Sequence, residues 1–225
     1  MKSVIKSALV LFIMIGMSDF ANAQMFKRQT EKMNSNWNYG IIGGVDFANF
    51  RGDAFNKTDS RTFGNVGLFV TYKAHENFLI QPEVLYTVRG AENKVNVEGT
   101  FYKDKYRMSY IQVPVYAKGL VKMGENSSIY AKAGPSIAFK IDDGFDSNDP
   151  ALNDANDLKA AGYKTNDTVF ETNFGLGFHF GNIMLGGTYN LGLTDVIKDR
   201  DVQNDSFTIH LGIAVRDWHH PLRNR

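Results

Sequence analysis

The chain has 225 residues, 43% of them hydrophobic and 13% aromatic, which is enough for one domain with a full core. Its 25 basic and 24 acidic residues give a net charge of +1, a balance that gives no support to nucleic-acid binding. It contains no cysteine, so disulfides, thiolate metal sites and cysteine nucleophiles are excluded.

Residues 1–23 have the pattern of a secretory signal peptide. They begin with a basic segment, continue through an apolar stretch over residues 8–17, and end in an Ala-Asn-Ala cleavage sequence at Ala23. The apolar stretch is too short to span a bilayer as a helix, although a retained anchor is the alternative. We therefore predict an exported protein, with residues 24–37 as a flexible polar leader.

Eight later segments alternate apolar residues with small or polar ones, the period of a strand with two unlike faces. The sixth and seventh meet at Gly181 and Asn182, which tolerate positive φ in a two-residue turn. Pro82 gives up a ladder hydrogen bond and predicts a bulge or strand irregularity in the third segment. We expect the polar residues 91–105 to continue the ladder beyond the membrane. The predicted strands are 38–48, 64–74, 78–90, 106–118, 128–140, 169–180, 183–193 and 206–216.

The lengths of these segments match strands that cross a bilayer at a tilt. Long and short connections alternate, as in outer-membrane barrels with periplasmic turns and external loops. Aromatic residues at both ends of the apolar faces predict two interfacial belts. We therefore predict an all-β, eight-stranded antiparallel up-and-down transmembrane β-barrel over residues 38–216, followed by an irregular tail over residues 217–225. The belt residues are Tyr39, Phe78 and Phe180 beside the leader or short turns, and Phe47, Phe139, Phe170 and Phe207 beside the long loops.

Four segments of the chain resemble, in their order and spacing, the outer-membrane β-barrel proteins of the PorT type, a family widespread in the Bacteroidota. They are ENFLIQPEVLYTVRG, SYIQVPVYAKG, YAKAGPSIAF and TYNLGLTDV. The resemblance covers most of the chain and implies an eight-stranded barrel in the cell outer membrane. One founding member is implicated in protein secretion. Many relatives end on an aromatic residue that closes the last strand, whereas this chain continues to Arg225.

A set of polar and charged residues falls on the inward parity of the predicted barrel. An eight-stranded barrel is just wide enough inside for its own side chains, so buried charges must be paired there. We predict an interior polar network with Glu83 as the central carboxylate and Lys132 or Arg89 as its partner. A filled core is the simpler role, and a gate or proton-sensitive switch is the functional alternative. The network comprises Asp46, Gln81, Glu83, Arg89, Lys118, Lys132, Glu171, His210 and Arg216.

The sequence provides no catalytic constellation. It lacks G-x-S-x-G, H-E-x-x-H and a phosphate-binding glycine loop. His179 and His210 both face inward, but we expect His179 near the periplasmic end and His210 near the loop end, too far apart for a shared metal or a dyad. An enzyme would need a Ser or Asp beside a His at one rim. We predict a protein without catalytic residues, bound metal or cofactor.

The predicted loop over residues 141–168 is rich in aspartate. Clustered carboxylates in an exposed loop can bind Ca²⁺ or bridge the divalent cations of lipopolysaccharide. The spacing of a calcium-binding EF-hand loop is absent, and a merely solvated acidic loop is the alternative. The candidate loop cation contacts are Asp142, Asp143, Asp146 and Asp149.

Together these patterns predict an outer-membrane protein with a structural or interaction role in the cell envelope, supporting protein secretion or assembly. Its expected partners are outer-membrane lipid, lipopolysaccharide and envelope proteins that contact the loops, with no nucleic acid and a monomeric barrel. Two alternatives remain open from the sequence. One is a porin-like conduit for small solutes or ions, and the other is a soluble periplasmic ligand-binding barrel with its apolar face inside.

Overall fold

The structure is a computed structural model, and it describes residues 36–51, 58–97, 100–147, 158, 164–196 and 202–215. The predicted signal peptide, nearly all of the predicted leader and the predicted tail lie outside these residues. Within the part of the chain that is described, no helix is long and apolar enough to cross a membrane.

The described residues form nine strands that pair antiparallel in one sheet. Because β1 pairs with both β2 and β9, eight of the strands close into a ring in the order β1-β9-β8-β7-β6-β5-β3-β2. This confirms the predicted eight-stranded antiparallel fold. The strands are β1 (Trp37–Arg51), β2 (Thr58–His75), β3 (Phe78–Arg89), β4 (Ala91–Val97), β5 (Thr100–Lys122), β6 (Ser127–Ser147), β7 (Thr168–Phe180), β8 (Ile183–Gly192) and β9 (Gln203–Ala214).

The ninth strand, β4, continues β3 beyond the ring after a break at Gly90. Both β3 and β4 pair with β2 and with β5. A Cβ at Gly90 would lie 1.9 Å from the carbonyl oxygen of Tyr106, so only glycine allows this close approach. The ladder predicted over residues 91–105 is therefore confirmed. The start predicted for the acidic loop is wrong, because β6 continues to Ser147 and pairs there with Asp104.

Turns and irregularities fix how the strands are joined. Gly181 has a φ of 55°, as predicted for the β7–β8 turn. Of the two alternatives predicted at Pro82, the bulge is wrong, because Pro82 pairs with Val115 and the register between β3 and β5 does not shift. The ladder between β2 and β3 does skip Pro82 while keeping its register, since a proline removes one N–H donor without adding a residue. Register shifts occur instead near the end of β2 at Lys73, and between β5 and β6 after Ser109.

The apolar face of the ring points outward. On β7, Phe174, Leu176 and Phe178 are each more than half exposed, and the same parity holds on the neighbouring strands. An exposed apolar surface that continues around the ring is what a hydrocarbon environment requires. Of the predicted aromatic residues at both ends, Phe139 is half-buried and the other six, such as Tyr39 and Phe207, are also exposed.

The interior contains two apolar clusters, one at each end of the strands. The lower cluster lies towards the short turns, and the upper cluster lies at the loop end. Most of the buried charged residues occupy strand positions between the two clusters. The lower cluster is Ile42, Phe69, Leu85, Tyr130, Met184 and Ala214, and the upper cluster is Ala91, Tyr106, Met108, Tyr110, Ala138, Phe145, Leu158, Val169, Val196 and Val202.

Candidate functional site

The structure places the predicted inward residues inside the ring, where each described member is at most 4% exposed. Alternation along each strand is the reason, since every second side chain points away from lipid. Arg216 lies outside the described residues. The buried members are Asp46, Gln81, Glu83, Arg89, Lys118, Lys132, Glu171 and His210.

Glu83 lies beside Lys132, one of the two partners predicted for it. The Nζ atom of Lys132 is 3.8 Å from Oε1 of Glu83 and 4.0 Å from the centre of the Tyr116 ring. The side-chain amide of Gln81 donates to the same carboxylate oxygen at 2.7 Å. The ion pair is therefore supported by a hydrogen bond, as a buried carboxylate needs.

Arg89, the other predicted partner of Glu83, lies instead against Glu171. Its Nη1 donates to Oε1 of Glu171, and its Nη2 donates to Oε1 of Gln112 at 2.9 Å. Gln112 in turn donates to Oε2 of Glu171 at 2.7 Å and to Oγ of Ser136 at 2.9 Å. The interior thus has a second carboxylate centre, whose neutral members Gln112 and Ser136 were not singled out from the sequence although both have inward parity.

Asp46 is a third buried carboxylate, and neutral groups surround it. Asn65 donates to its Oδ2 at 2.8 Å and Thr87 donates to the same oxygen at 2.9 Å. Thr208 donates to the other oxygen, Oδ1. Three donors from three strands satisfy a carboxylate that has left water.

Lys118 lies in a ring of acceptors at the lower end of the interior. Its Nζ donates to Oε1 of Gln81 at 2.9 Å and to Sδ of Met184 at 3.2 Å. It also lies 3.2 Å from Nε2 of His179 and 4.0 Å from the centre of the Tyr130 ring. Of the three N–H donors of an ammonium group, two are accepted by Gln81 and Met184, and His179 lies within hydrogen-bond distance of the same nitrogen.

His210 shares a hydrogen bond with the hydroxyl of Tyr130, with 3.0 Å between the hydroxyl oxygen and Nε2. The Tyr130 ring also packs against His179, with 4.7 Å between ring centres. The expectation that His210 lies near the loop end is wrong. β9 begins and ends earlier than predicted, at Gln203 and Ala214, so His210 falls in the half of the strand nearer the short turns.

The predicted loop cation contacts are not gathered into one site. Asp149 lies outside the described residues, and the other three aspartates lie on β6, each near a basic side chain. Within the described ranges, no group of three or more His, Asp or Glu residues is arranged to hold a metal ion. The ion pairs are Asp142 with Arg107 at 3.8 Å, Asp143 with Lys140 at 3.1 Å and Asp146 with Lys105 at 3.5 Å.

Residues from two loops pack into the upper cluster. Leu158, Val196 and Val202 are at most 1% exposed. The backbone N–H of Val196 donates to the carbonyl of Val202 at 2.8 Å, and the N–H of Asn166 donates to the carbonyl of Val196 at 3.0 Å. Apolar side chains thus fill the loop end of the interior, above the buried ion pairs.

Comparison with known proteins gives a family match. The model of the family described as "Outer membrane protein beta-barrel domain" matches residues 22–198. No curated protein matches the chain.

Several solved structures are similar. Ail, the attachment invasion locus protein of Yersinia pestis, is 13% identical over 80% of this chain and 99% of its own, with a TM-score of 0.43. Neisserial surface protein A is 11% identical over 78% and 96%, with a TM-score of 0.45. OprG of Pseudomonas aeruginosa is 13% identical over 81% and 97%, with a TM-score of 0.43.

The family match and the outward apolar face both place the protein in the outer membrane. A soluble periplasmic barrel, which would place its apolar face inside, is excluded by both observations. The chain belongs to the outer membrane protein β-barrel domain family, and it is an eight-stranded barrel of the outer membrane.

Proposed function

We propose that this protein is a closed, non-catalytic barrel that acts through its loop-end surface, where it contacts other components of the cell envelope. The filled interior is the observation that carries the proposal. Buried charges are paired or hydrogen-bonded between two apolar clusters, and an eight-stranded ring has little room beyond its own side chains.

The interior contacts argue against the conduit alternative. An ion crossing the ring would have to displace the Glu83–Lys132 and Arg89–Glu171 pairs, each of which is almost fully buried. Breaking one such pair without replacing its partner costs about 3–5 kcal/mol. The apolar residues at both ends add a further barrier, since they offer an ion no ligands.

At the loop end, the strands extend out of the lipid and further than is needed to close the ring. β4 and the upper parts of β5 and β6 continue the ladder beyond the paired end of β7. The resemblance to PorT-type proteins supports a role in secretion or assembly of envelope proteins. We also propose that residues 1–23 direct export and that the protein comes from a bacterium of the Bacteroidota. The barrel is monomeric in this proposal, and it contacts lipopolysaccharide.

Conductance of the purified protein in planar bilayers tests the closed interior. We expect no unit conductance from the wild-type chain, with a porin of known conductance as the positive control. A steady unit conductance from folded wild-type protein would refute the closed barrel and favour the conduit.

Trimming the extension tests the role of the surface. Replacing residues 93–104 by Asn-Gly keeps the pair formed by Glu92 and Lys105 as the last pair of the ladder. We expect this variant to fold, as shown by a shift between unheated and boiled samples on a gel, but to lose the envelope function of the gene in a deletion strain. Full complementation by the trimmed variant would show that the hairpin of β4 and the start of β5 is not needed for the function, and would contradict this part of the proposal.

A further inference from the structure

The outer face of β5 changes from apolar to basic where the strand leaves the bilayer. Val115 faces outward and is 42% exposed. Arg107, Lys105 and Lys103 continue the same odd parity, whereas the intervening even residues are buried. Alternate residues of a strand are about 7 Å apart, so the three cations form a row of about 14 Å.

The height of this row follows from the strand register. Ile111 pairs with Tyr86 on one side and with Phe139 on the other. Aromatic residues on the outer face mark the edge of the hydrocarbon core. Arg107 is four residues further along β5, about 10 Å higher for a strand tilted by about 40°. The polar zone of a leaflet is about 5–8 Å thick, so the long side chain of Arg107 reaches it by bending downward. Lys105 is about 15 Å above the same edge and reaches only the outer limit of this zone, and Lys103, at about 20 Å, lies beyond it.

The carboxylates beside these cations form only weak ion pairs with them. Arg107 is 3.8 Å from Asp142, and Lys105 is 3.5 Å from Asp146. The side chains of Arg107 and Lys105 are 55% and 43% exposed, and exposed ion pairs of this kind contribute about 0–1 kcal/mol. A phosphate group can approach both cations more closely, with charge-assisted hydrogen bonds of about 2.7–2.9 Å. The two aspartates are then left to bind the divalent cations that accompany phosphates.

The space around Arg107 fits the same reading. A Cβ at Gly144, the residue that pairs with Arg107, would lie 3.2 Å from Nη2 of the guanidinium. Glycine therefore leaves room for the guanidinium to lie across β6 on the outer face of the sheet.

We infer that Lys105 and Arg107 form a docking site for the phosphate groups of lipid A, the glycolipid anchor of lipopolysaccharide, in the outer leaflet. Charge complementarity and the height of Arg107 above the aromatic residues carry the inference. It rests on the proposed function in one respect, namely that the loop end faces outward and contacts envelope components.

The test measures how much lipid A remains bound to the protein. Full-length protein is reconstituted in nanodiscs of phosphatidylcholine with diphosphorylated lipid A, then extracted in mild detergent and examined by native mass spectrometry. We compare the wild type with K105Q/R107Q and with the matched control K73Q/K122Q, which removes the same charge from the short-turn end. We expect K105Q/R107Q to retain several-fold less lipid A, and the control to match the wild type.

A second measurement separates phosphate recognition from contact with acyl chains. The wild type should retain dephosphorylated lipid A poorly. The amount should be about the same as the amount of diphosphorylated lipid A that K105Q/R107Q retains. Equal retention by the wild type and K105Q/R107Q, or no preference for the phosphorylated form, would overturn the inference. Gel shifts of unheated samples verify that each variant is folded.

The two proposals can fail separately. The trimmed variant lacking residues 93–104 keeps Lys105 and Arg107, so it can lose envelope function while it still retains lipid A. Conversely, K105Q/R107Q can lose lipid A while the barrel remains closed in the conductance measurement.

Discussion

Two glycines, Gly177 of β7 and Gly186 of β8, pair with each other and lie beneath the Tyr130 side chain, which contacts His210. We predict that Gly186→Ala destabilises the barrel. A Cβ at this position would lie 2.3 Å from the Tyr130 hydroxyl oxygen, 2.8 Å from the carbonyl oxygen of Leu176 and 2.9 Å from Nε2 of His210. All three distances are shorter than van der Waals contact, and the shortest requires Tyr130 to move away from His210.

The size of the effect follows from three contributions. Separating Tyr130 from His210 leaves buried polar groups without a partner, at a cost of about 1–3 kcal/mol. Overpacking of the surrounding side chains adds about 1–3 kcal/mol. The alanine restricts the unfolded chain and returns about 0.4–1 kcal/mol. We therefore expect a net loss of about 1–6 kcal/mol in the free energy of unfolding.

A second substitution distinguishes this cause from a general loss of packing. Tyr130→Phe removes the oxygen that meets the new methyl group, so G186A/Y130F should recover part of the stability lost in G186A. The same change should rescue Gly177→Ala less. There the added Cβ lies 2.4 Å from the Tyr130 hydroxyl oxygen, but also 2.4 Å from the carbonyl oxygen of Leu185 and 2.5 Å from Cζ of Tyr130, and Tyr130→Phe leaves these last two contacts in place.

Urea titration of the refolded variants in lipid vesicles measures these differences, with unheated gel mobility as the readout of the folded fraction. Gly119→Ala is the matched control, because a Cβ there meets nothing within 4 Å. The reasoning is refuted if Gly186→Ala is as stable as Gly119→Ala. It is also refuted if Tyr130→Phe rescues both glycine variants equally.

The remaining predictions use the same titration. Glu171→Gln leaves the Arg89 guanidinium buried without its counter-charge, and we expect a loss of about 3–5 kcal/mol; a loss below about 1 kcal/mol would contradict the pairing. Glu83→Lys and Lys132→Glu should each destabilise alone, and the double exchange should restore much of the loss, whereas additive losses would argue against a direct pair. Arg51→Ala removes an ion pair at the loop end in which the arginine is half exposed and the Asp205 side chain is mostly buried. Because Asp205 keeps its hydrogen bonds from Tyr189 and Gly192, we expect a loss of less than about 1 kcal/mol, and a larger loss would show a structural role for Arg51.

Strand parity predicted the fold and the interior of this protein because each strand has two chemically different faces. The outward position of Leu176 and the inward position of Glu171 both follow from counting in twos along one segment. The barrel followed from the lengths of the segments, the alternation of long and short connections, and the aromatic residues at both ends of the apolar faces. Each of these features is visible along the chain without knowledge of how the strands pair.

Features that depend on relations between strands were harder to predict. The partner of Arg89 depends on the stagger of strands around the ring, which alternation within one strand does not specify. His210 was misplaced because the bounds of the last strand were shifted by a few residues. The continuation of β6 to Ser147 was missed because a ladder outside the membrane has no apolar face to reveal its period.

The buried pairs join residues that are distant in sequence, and this bears on how the protein folds. Arg89 and Glu171 are 82 residues apart, and Asp46 and Thr208 are 162 apart. A hairpin that entered the bilayer alone would carry its charge into hydrocarbon without a partner, at about 2.5–3.5 kcal/mol for each charge. We therefore expect the strands to cross the membrane together. We also expect insertion to be slow for a chain of this size, because the pairing of β1 with β9, at the two ends of the ring, forms late and limits the rate.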